Sequence, residues 1–289
     1  MAKQPVIIIG MHRSGTTLLT ELLEKCGLFV GQKKFGNKEA IFFQELNRWW
    51  LFQTGTTWDN PTAFQYAHPT FLTQAEKVFK WRSKSHHLQK YLGLIKTIQH
   101  RNLKNLNFEW GWKDPVNSIT LDIWMKIFPE AKIVNITRNP LDVAMSLKIR
   151  EESRIKQFGE SSTLSNREKR LIYRPAYNQS YRVLDIQEGV KLTIEYLQIN
   201  KNSLAKYKDH YQLSYEDLLS DPFHQIQELT NFLNLNTEDR LLAEVVENIN
   251  PDKANKFLHN SELRQLYSKM NLKILFAEYG FTTPEAIEA

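Results

Sequence analysis

The sequence has few of the residues that would place it among disulfide-stabilised or membrane-spanning proteins. Cys26 is the single cysteine, so no disulfide can form within the chain, and its place at the end of a predicted helix favours a small buried apolar residue over a nucleophile. No run of about 18 apolar residues occurs, so no membrane span is expected. The apolar run at 6–9 is too short for a signal peptide. These absences predict a cytoplasmic protein.

The chain also has no dense run of lysine and arginine. Its 38 Lys and Arg residues against 32 Asp and Glu give a net charge of +6 and a pI of about 9.1. That balance fits an anionic ligand, but it is a weak sign of nucleic-acid binding. We expect no nucleic-acid partner and no metal site.

What the sequence does contain is an alternation of helix-like and strand-like segments. With 289 residues, 42% of them hydrophobic, the chain is long enough for a sizeable core. No composition break, internal repeat or low-complexity tract divides it. The alternation predicts an α/β fold, a P-loop-type parallel β-sheet flanked by helices, in a single domain over 1–289.

The segment that organises the chain lies near its N-terminus. The β-branched run 6–9 predicts a buried strand, Gly10 and Gly15 permit a tight turn, and a helix is expected over Thr16 to Lys25. Such a turn directs backbone N–H groups at a phosphate. The glycine spacing matches a Walker A loop, but Thr16 stands where the essential lysine would be. A phosphate ligand other than ATP with magnesium is therefore predicted.

Aromatic residues are concentrated after the first helix. Residues 42–112 hold 15 of the 34 aromatic side chains, including six of the seven tryptophans. This enrichment predicts a mainly helical, aromatic-rich insertion at about 38–108 that contributes an apolar pocket or lid over the glycine loop at 10–15. Packing of the rings as a second core layer explains the same enrichment, and both interpretations stay open. A second, mobile excursion is expected at about 151–182.

Two further segments carry positive charge at the exits of predicted strands. Lys113 follows a strand expected at 108–112, where side chains of an α/β fold face the ligand crevice. Arg138 follows the strand 132–137, and Asn139 and Pro140 then begin a helix that carries Ser146. Arg138 and Ser146 form a reasonable second anion site, although on this evidence alone a capped helix with a surface arginine is preferred. Asn117 is the expected N-cap of a helix over 119–128.

Read together, these segments resemble sulfotransferases that use 3′-phosphoadenosine 5′-phosphosulfate (PAPS). The segment 10–17 resembles their 5′-phosphosulfate loop, 138–146 their 3′-phosphate motif, and 215–222 a third family motif, all in the family's order. The Arg-Ser-Gly-Thr-Thr loop and the later Lys-Asp-Pro are similar to those of tyrosylprotein sulfotransferases. The resemblance explains the missing Walker lysine, because the ligand needs no magnesium clamp.

The resemblance also implies roles for particular residues. Transfer of the sulfuryl group proceeds in line, with Arg13 and Lys113 on the leaving phosphate and Glu39 as the base. Glu45 is the alternative base, ahead of histidines in the acceptor region. The residues implied in cofactor binding are His12, Arg13, Ser14, Gly15, Thr16, Thr17, Arg138 and Ser146, with Arg150, Lys253 and Asn255 as possible additions.

The acceptor is not identified by the sequence. The aromatic stretch favours a small molecule, a lipid, a carbohydrate or a phenol with apolar or ring surface. Two alternatives remain, namely a P-loop kinase or NTPase and a catalytically inactive protein that binds PAPS or its product, 3′-phosphoadenosine 5′-phosphate (PAP). The oligomeric state is not predicted.

Overall fold

The computed structural model describes residues 2–84, 86–159 and 180–285. Within these ranges it contains four strands, β1 (Val6–Ile9), β2 (Gly111–Lys113), β3 (Lys132–Thr137) and β4 (His210–Ser214). Its α-helices are α1 (Thr16–Lys25), α2 (Ile41–Gln53), α3 (Pro69–Arg82), α4 (Gln89–His100), α5 (Asn117–Ile127), α6 (Pro140–Gly159), α7 (Ile186–Leu204), α8 (Tyr215–Ser220), α9 (Pro222–Leu233), α10 (Asp239–Val246), α11 (Ser261–Lys269) and α12 (Lys273–Tyr279). Short 3-10 turns connect several of them.

The four strands form one parallel sheet with the order β2-β1-β3-β4. Ile8 of β1 lies opposite Lys113 on one side and Val134 on the other. Because all the strands run in the same direction, their carboxyl ends share one edge, where the loops after β1 and β2 lie side by side. The predicted α/β fold with a parallel sheet is confirmed.

Strand β1 lies at the centre of the core and is buried on both faces. Ile7 and Ile9 pack into a cluster with α2 to α5, whereas Val6 and Ile8 pack into a second cluster with α1 and α8 to α10. This alternation follows from the two-residue period of a strand and explains why all four residues are apolar. In the first cluster the ring of Phe43 stacks on that of Trp112 at 3.9 Å.

The cluster on the α2 to α5 side shows what most of the aromatic residues at 42–112 do. Rings of this region are fully buried and contact one another edge to face or stacked, as aromatic pairs prefer. The predicted helical, aromatic-rich insertion is therefore present as helices α2 to α4, and a large share of its rings is core. Exceptions such as Phe52 and Trp81 are exposed.

Several element boundaries differ from the sequence predictions. Strand β2 covers only 111–113, whereas the strand was predicted at 108–112. Helix α2 begins at Ile41, and Glu39 lies just before it. Asn117 is the first residue of α5 and not its N-cap, because its side chain bonds the Ile8 carbonyl instead. The prediction for α6 holds better, since the Asn139 side chain accepts from the Asp142 backbone N–H at 2.9 Å.

The backbone contacts divide the chain into two compact units. The first unit comprises residues 1–137 and 196–254, and the second unit comprises 138–195 and 255–289. In the excursion expected at 151–182, residues 151–159 continue α6, and Glu151 is buried between Arg150 and Arg154. The mobility of this segment stays a prediction. Residues 160–179 lie outside the described ranges. No helix in the described part is long and apolar enough to cross a membrane.

Candidate active site

The loop between β1 and α1 has the backbone geometry that its glycines predict. Gly10, Arg13 and Gly15 have φ values of 146°, 71° and 98°. A Cβ atom on Gly15 would lie 2.3 Å from the ring of Tyr215, and one on Gly10 would lie 2.5 Å from the Ile136 carbonyl oxygen. Glycine is therefore required at both positions by conformation and by space. The Ser14 hydroxyl closes the turn by donating to the Met11 carbonyl at 2.7 Å.

The N-terminus of α1 suits an anion. Gly15 occupies the N-cap position and provides no side-chain hydrogen bond to the first turn, which also contains no acidic residue. The first N–H groups and the positive end of the helix dipole therefore remain available for a negatively charged group. Thr16 is buried in this turn, and Arg13 and Thr17 are more exposed beside it.

A buried ion pair connects the end of β2 with the segment before α2. Lys113 Nζ lies 3.3 Å from Glu39 Oε1, and the two side chains are only 2% and 6% exposed. Two amides also hold the Glu39 carboxylate, Asn37 Nδ2 at 2.7 Å and Gln44 Nε2 at 2.6 Å. Each charge depends on the other, because an unpaired ion at this depth loses its hydration without compensation.

The backbone of Asn37 links this ion pair to the loop between β1 and α1, residues 10–17, here called the phosphate loop. Its carbonyl oxygen accepts from Lys113 Nζ at 2.5 Å and from Thr17 Oγ1 at 3.3 Å. The structure thus brings together three of the sequence-predicted residues, Thr17, Lys113 and Glu39. Asn37 itself was missed, since the sequence indicates only a polar loop there.

Asp114 is a second buried carboxylate beside the pair, and sequence reasoning gave it no role. Burial is the main cause that raises its pKa to about 7, and the negative charge of Glu39 adds to the effect. Hydrogen bonds from Asn47 Nδ2 at 2.9 Å and from the Val116 backbone at 3.0 Å oppose the shift. The signal that could have found it is its place in the Lys-Asp-Pro motif.

Asn47 is the centre of a buried network that reaches strand β1. Its amide donates to Asp114 and to Asn117 Oδ1, and its oxygen accepts from Thr120 and from the Trp124 indole, both at 2.9 Å. Asn117 in turn donates to the Ile8 carbonyl at 3.0 Å. Helices α2 and α5 and strand β1 are therefore fixed to one another by fully used polar groups.

Glu45, the alternative base, is engaged elsewhere. Lys90 Nζ lies 2.6 Å from its Oε1, Arg82 Nη2 lies 3.5 Å from its Oε2, and its side chain is 39% exposed. It shares no hydrogen bond with Lys113 or with the phosphate loop among the described contacts.

The four histidines of the acceptor region have structural or surface positions. His68 caps α3 by accepting from Thr70, and His100 bonds the Asn105 carbonyl at 3.3 Å. His86 and His87 contact each other near the surface. His12 differs, because it belongs to the phosphate loop and packs edge to face on Trp58 at 5.0 Å.

The second unit holds Arg138 and its neighbours around a buried carboxylate. Asp142 accepts from Asn139 Nδ2 at 3.1 Å and from Arg138 Nη2 at 3.3 Å. The same carboxylate accepts from the backbone N–H groups of Lys256 and Phe257 at 3.1 and 2.8 Å. The chain that follows Arg138 is thereby anchored to the segment that follows Asn255.

The remaining predicted cofactor ligands are spread over both units. Ser146 and Arg150 lie on α6, where Arg150 Nε donates to the buried Glu151 at 2.7 Å. Asn255 donates to the Thr282 hydroxyl at 3.3 Å, and Lys253 belongs to the first unit. The assignment of Arg138 and Ser146 to a 3′-phosphate stays a prediction from the motif.

Comparison with known proteins gives a consistent picture. Residues 5–239 match the model of the sulfotransferase family. A sulfotransferase from Alicyclobacillus acidocaldarius shares 16% identity over 99% of both chains with a TM-score of 0.50. The sulfotransferase domain of the curacin biosynthetic pathway shares 17% identity over 98% of this chain and 100% of that one, with a TM-score of 0.49.

An uncharacterized protein of Aquifex aeolicus is 23% identical over 254 residues, which are 83% of this chain. The aligned part spans 27% of that relative's length, so the relative is a much longer protein. The family match covers the phosphate loop, the Lys113–Glu39 pair and the motif that begins at Arg138. By that match, this chain belongs to the sulfotransferase family.

Proposed function

We propose that the protein transfers a sulfuryl group from PAPS to a hydroxyl or amine of an acceptor by in-line displacement. The observation that carries this proposal is the buried Lys113–Glu39 pair at the carboxyl edge of the sheet, hydrogen-bonded to the same segment as Thr17 of the phosphate loop. A cation for the leaving phosphate and a carboxylate for the acceptor's proton are the two charges that such a transfer requires.

The phosphate loop fits the anionic end of PAPS. The uncapped first turn of α1 and the absence of an acidic residue in that turn favour a bound phosphosulfate. His12, Arg13, Ser14, Gly15, Thr16 and Thr17 are the proposed ligands there. Arg138 and Ser146 are proposed for the 3′-phosphate on the strength of their motif.

When bound, PAPS supplies a sulfur atom whose bond to the bridging phosphate oxygen breaks as its bond to the acceptor oxygen forms. Arg13 and Lys113 stabilise the negative charge that develops on the departing phosphate. Glu39 accepts the proton that the acceptor hydroxyl loses. Asn37 and Gln44 each hold one oxygen of the Glu39 carboxylate, and this fixes its orientation before the acceptor arrives.

A transfer screen measured by mass spectrometry tests the proposal. The protein is incubated with PAPS and a panel of alcohols, phenols, lipids and carbohydrates, and the expected result is a sulfated acceptor with an equal amount of PAP. Binding of PAP without any transfer across the panel would instead support the inactive binder. Hydrolysis of ATP with magnesium would revive the NTPase, which the family match does not favour.

A further inference from the structure

The positive charge of the chain originates in one segment. Residues 77–108, here called the basic segment, contain eight Lys and Arg residues and no Asp or Glu. The rest of the chain holds 30 Lys and Arg against 32 Asp and Glu, so it is slightly acidic. The net charge of +6 is therefore a local property of this segment, although no two of its cations are adjacent in sequence.

The same segment exposes an apolar helix face. Leu94, Ile95 and Ile98 of α4 are 58%, 72% and 60% exposed, and their spacing places them on one side of the helix. Gly93, with a φ of 76°, interrupts α4 just before them. Scattered apolar side chains need no explanation, but three neighbouring ones on one helix face point to an interaction.

Exposed cations lie next to this apolar face. Arg101 ends α4 and Lys104 follows within three residues, and both are exposed. A hydrogen bond of 3.0 Å from the Leu103 N–H to the Ser83 carbonyl brings the exposed Lys84 to the same end of the helix. In the part of the chain that the structure describes, none of these three cations forms an ion pair with a carboxylate.

Four other cations of the basic segment already have partners. Lys80 pairs with Glu76, and Arg82 and Lys90 pair with Glu45. The Lys96 ammonium lies over the rings of Phe29 and Phe108, at 4.2 and 4.8 Å from their centres. Lys77, on α3, is exposed and forms no ion pair among the described contacts. The other unpaired cations of the segment, Lys84, Arg101 and Lys104, lie near the apolar face.

We propose that this surface docks on an anionic lipid bilayer. Leu94, Ile95 and Ile98 enter the interfacial region, while Arg101 and Lys104 contact negatively charged headgroups. An apolar helix face with exposed cations at the C-terminal end of the helix combines the two signals that stable peripheral binding needs. A nucleic acid fits less well, because it gains nothing from three exposed aliphatic side chains.

Cosedimentation with vesicles tests this proposal and is independent of the enzymatic one, since neither PAPS nor an acceptor is present. The protein is mixed with phosphatidylcholine vesicles that contain or lack about 30% phosphatidylserine. We expect binding to the anionic vesicles only, and a strong loss when salt rises from about 0.1 to 0.5 M.

Two pairs of substitutions separate the contributions. Arg101→Gln with Lys104→Gln should lower the partition coefficient about tenfold or more, since each cation near such a surface contributes about fivefold. Ile95→Gln with Ile98→Gln should have an effect of similar size. The matched controls are Ile274→Gln, at a residue 74% exposed on α12, and Lys208→Gln at another exposed lysine, which should bind like the parent.

Three results would overturn the proposal. The first is equal sedimentation with neutral and anionic vesicles, or none with either. The second is binding to anionic vesicles that Ile95→Gln with Ile98→Gln leaves unchanged, which would mean that the cations alone account for the binding. The third is a parent protein that binds no vesicles and elutes as a dimer in size-exclusion chromatography, while the variant with Ile95→Gln and Ile98→Gln elutes as a monomer. That result would make this face an interface between copies of the chain.

Discussion

At the level of single residues, the site is built on charges that are buried and interdependent. Lys113 and Glu39 together lose almost all contact with water, and both are held by neutral amides and carbonyls of the segment 37–44. Removing a lysine and a carboxylate from water costs free energy, and the ion pair that they form does not by itself stabilise the fold. A buried pair of this kind at the carboxyl edge of the sheet therefore favours a chemical role.

The first residue-scale prediction concerns the base. Glu39→Gln keeps the size of the side chain but cannot take a proton, so turnover of PAPS with an acceptor found in the transfer screen should fall about 10²-fold or more. Glu45→Gln is the matched control and should keep most of the turnover. If Glu39→Gln retains turnover while Glu45→Gln loses it, the base is Glu45.

A second residue-scale prediction follows from Asp114. Burial and the charge of Glu39 raise its pKa from the ordinary 3.8 to about 7, so the folded protein holds this proton more tightly than the unfolded chain does. The free energy of unfolding should therefore decrease as pH rises between about 4 and 7, by at most about 1.4 kcal/mol per pH unit.

Asp114→Asn should remove that contribution to the slope, and urea denaturation at several pH values measures it. Asp252→Asn, at an exposed carboxylate, serves as the control and should keep the parent's slope. An unchanged slope in Asp114→Asn would mean that Asp114 is ionised throughout this range.

At the level of elements, helix α1 lies between two glycines with positive φ, Gly15 before it and Gly27 after it. Gly15 and Gly27 have nearly equal φ values of 98° and 97°. A Cβ on Gly15 would collide with Tyr215, but a Cβ on Gly27 would have no heavy atom within 4 Å. Alanine at Gly27 therefore measures the cost of backbone strain alone, whereas alanine at Gly15 adds the cost of a steric clash.

Gly27→Ala should lower the free energy of unfolding by about 1 kcal/mol, the cost of a left-handed conformation. Gly15→Ala should cost more, because Tyr215 must move, and it should also weaken PAP binding. Chemical denaturation and calorimetric titration with PAP measure the two effects. Equal losses of stability in the two variants, with PAP binding intact in both, would contradict the account of the loop.

The elements that could be predicted from the sequence are those with strong local signals. Three signals each specify their structure within a few residues. They are the β-branched run of β1, the glycines of the phosphate loop, and Asn139 with Pro140 at the start of α6. The continuation of α6 over 151–159 has no such signal, because the buried Glu151 is held by Arg150 and Arg154 and not by apolar periodicity.

The buried polar network could not be predicted in the same way. Asn47 contacts Asp114, Asn117, Thr120 and Trp124 across 67 to 77 positions of sequence. Each of these residues has an ordinary local environment, so no spacing rule indicates their contact. Only the parallel sheet, which brings β2 beside β1, places α2 and α5 close enough to share hydrogen bonds.

At the level of the whole molecule, the sequence pointed to the family through the order of its motifs. The phosphate loop follows β1, Lys113 is the last residue of β2, and Arg138 follows β3. These three strands are neighbours in the sheet. Whether the chain acts as a single domain stays a prediction, since its contacts form two compact units. A search for consecutive lysines and arginines did not find the uneven charge distribution. The basic segment becomes visible only when its lack of acidic residues is counted as well.

The central claim is that the protein recognises a nucleotide with both a 5′-phosphate group and a 3′-phosphate. Thermal unfolding with PAP, with AMP and with ATP and magnesium tests it without knowledge of the acceptor. The account predicts that PAP raises the melting temperature far more than AMP does, because ligand binding stabilises the folded state in proportion to the logarithm of affinity. Equal shifts with PAP and AMP, or a larger shift with ATP and magnesium, would contradict it.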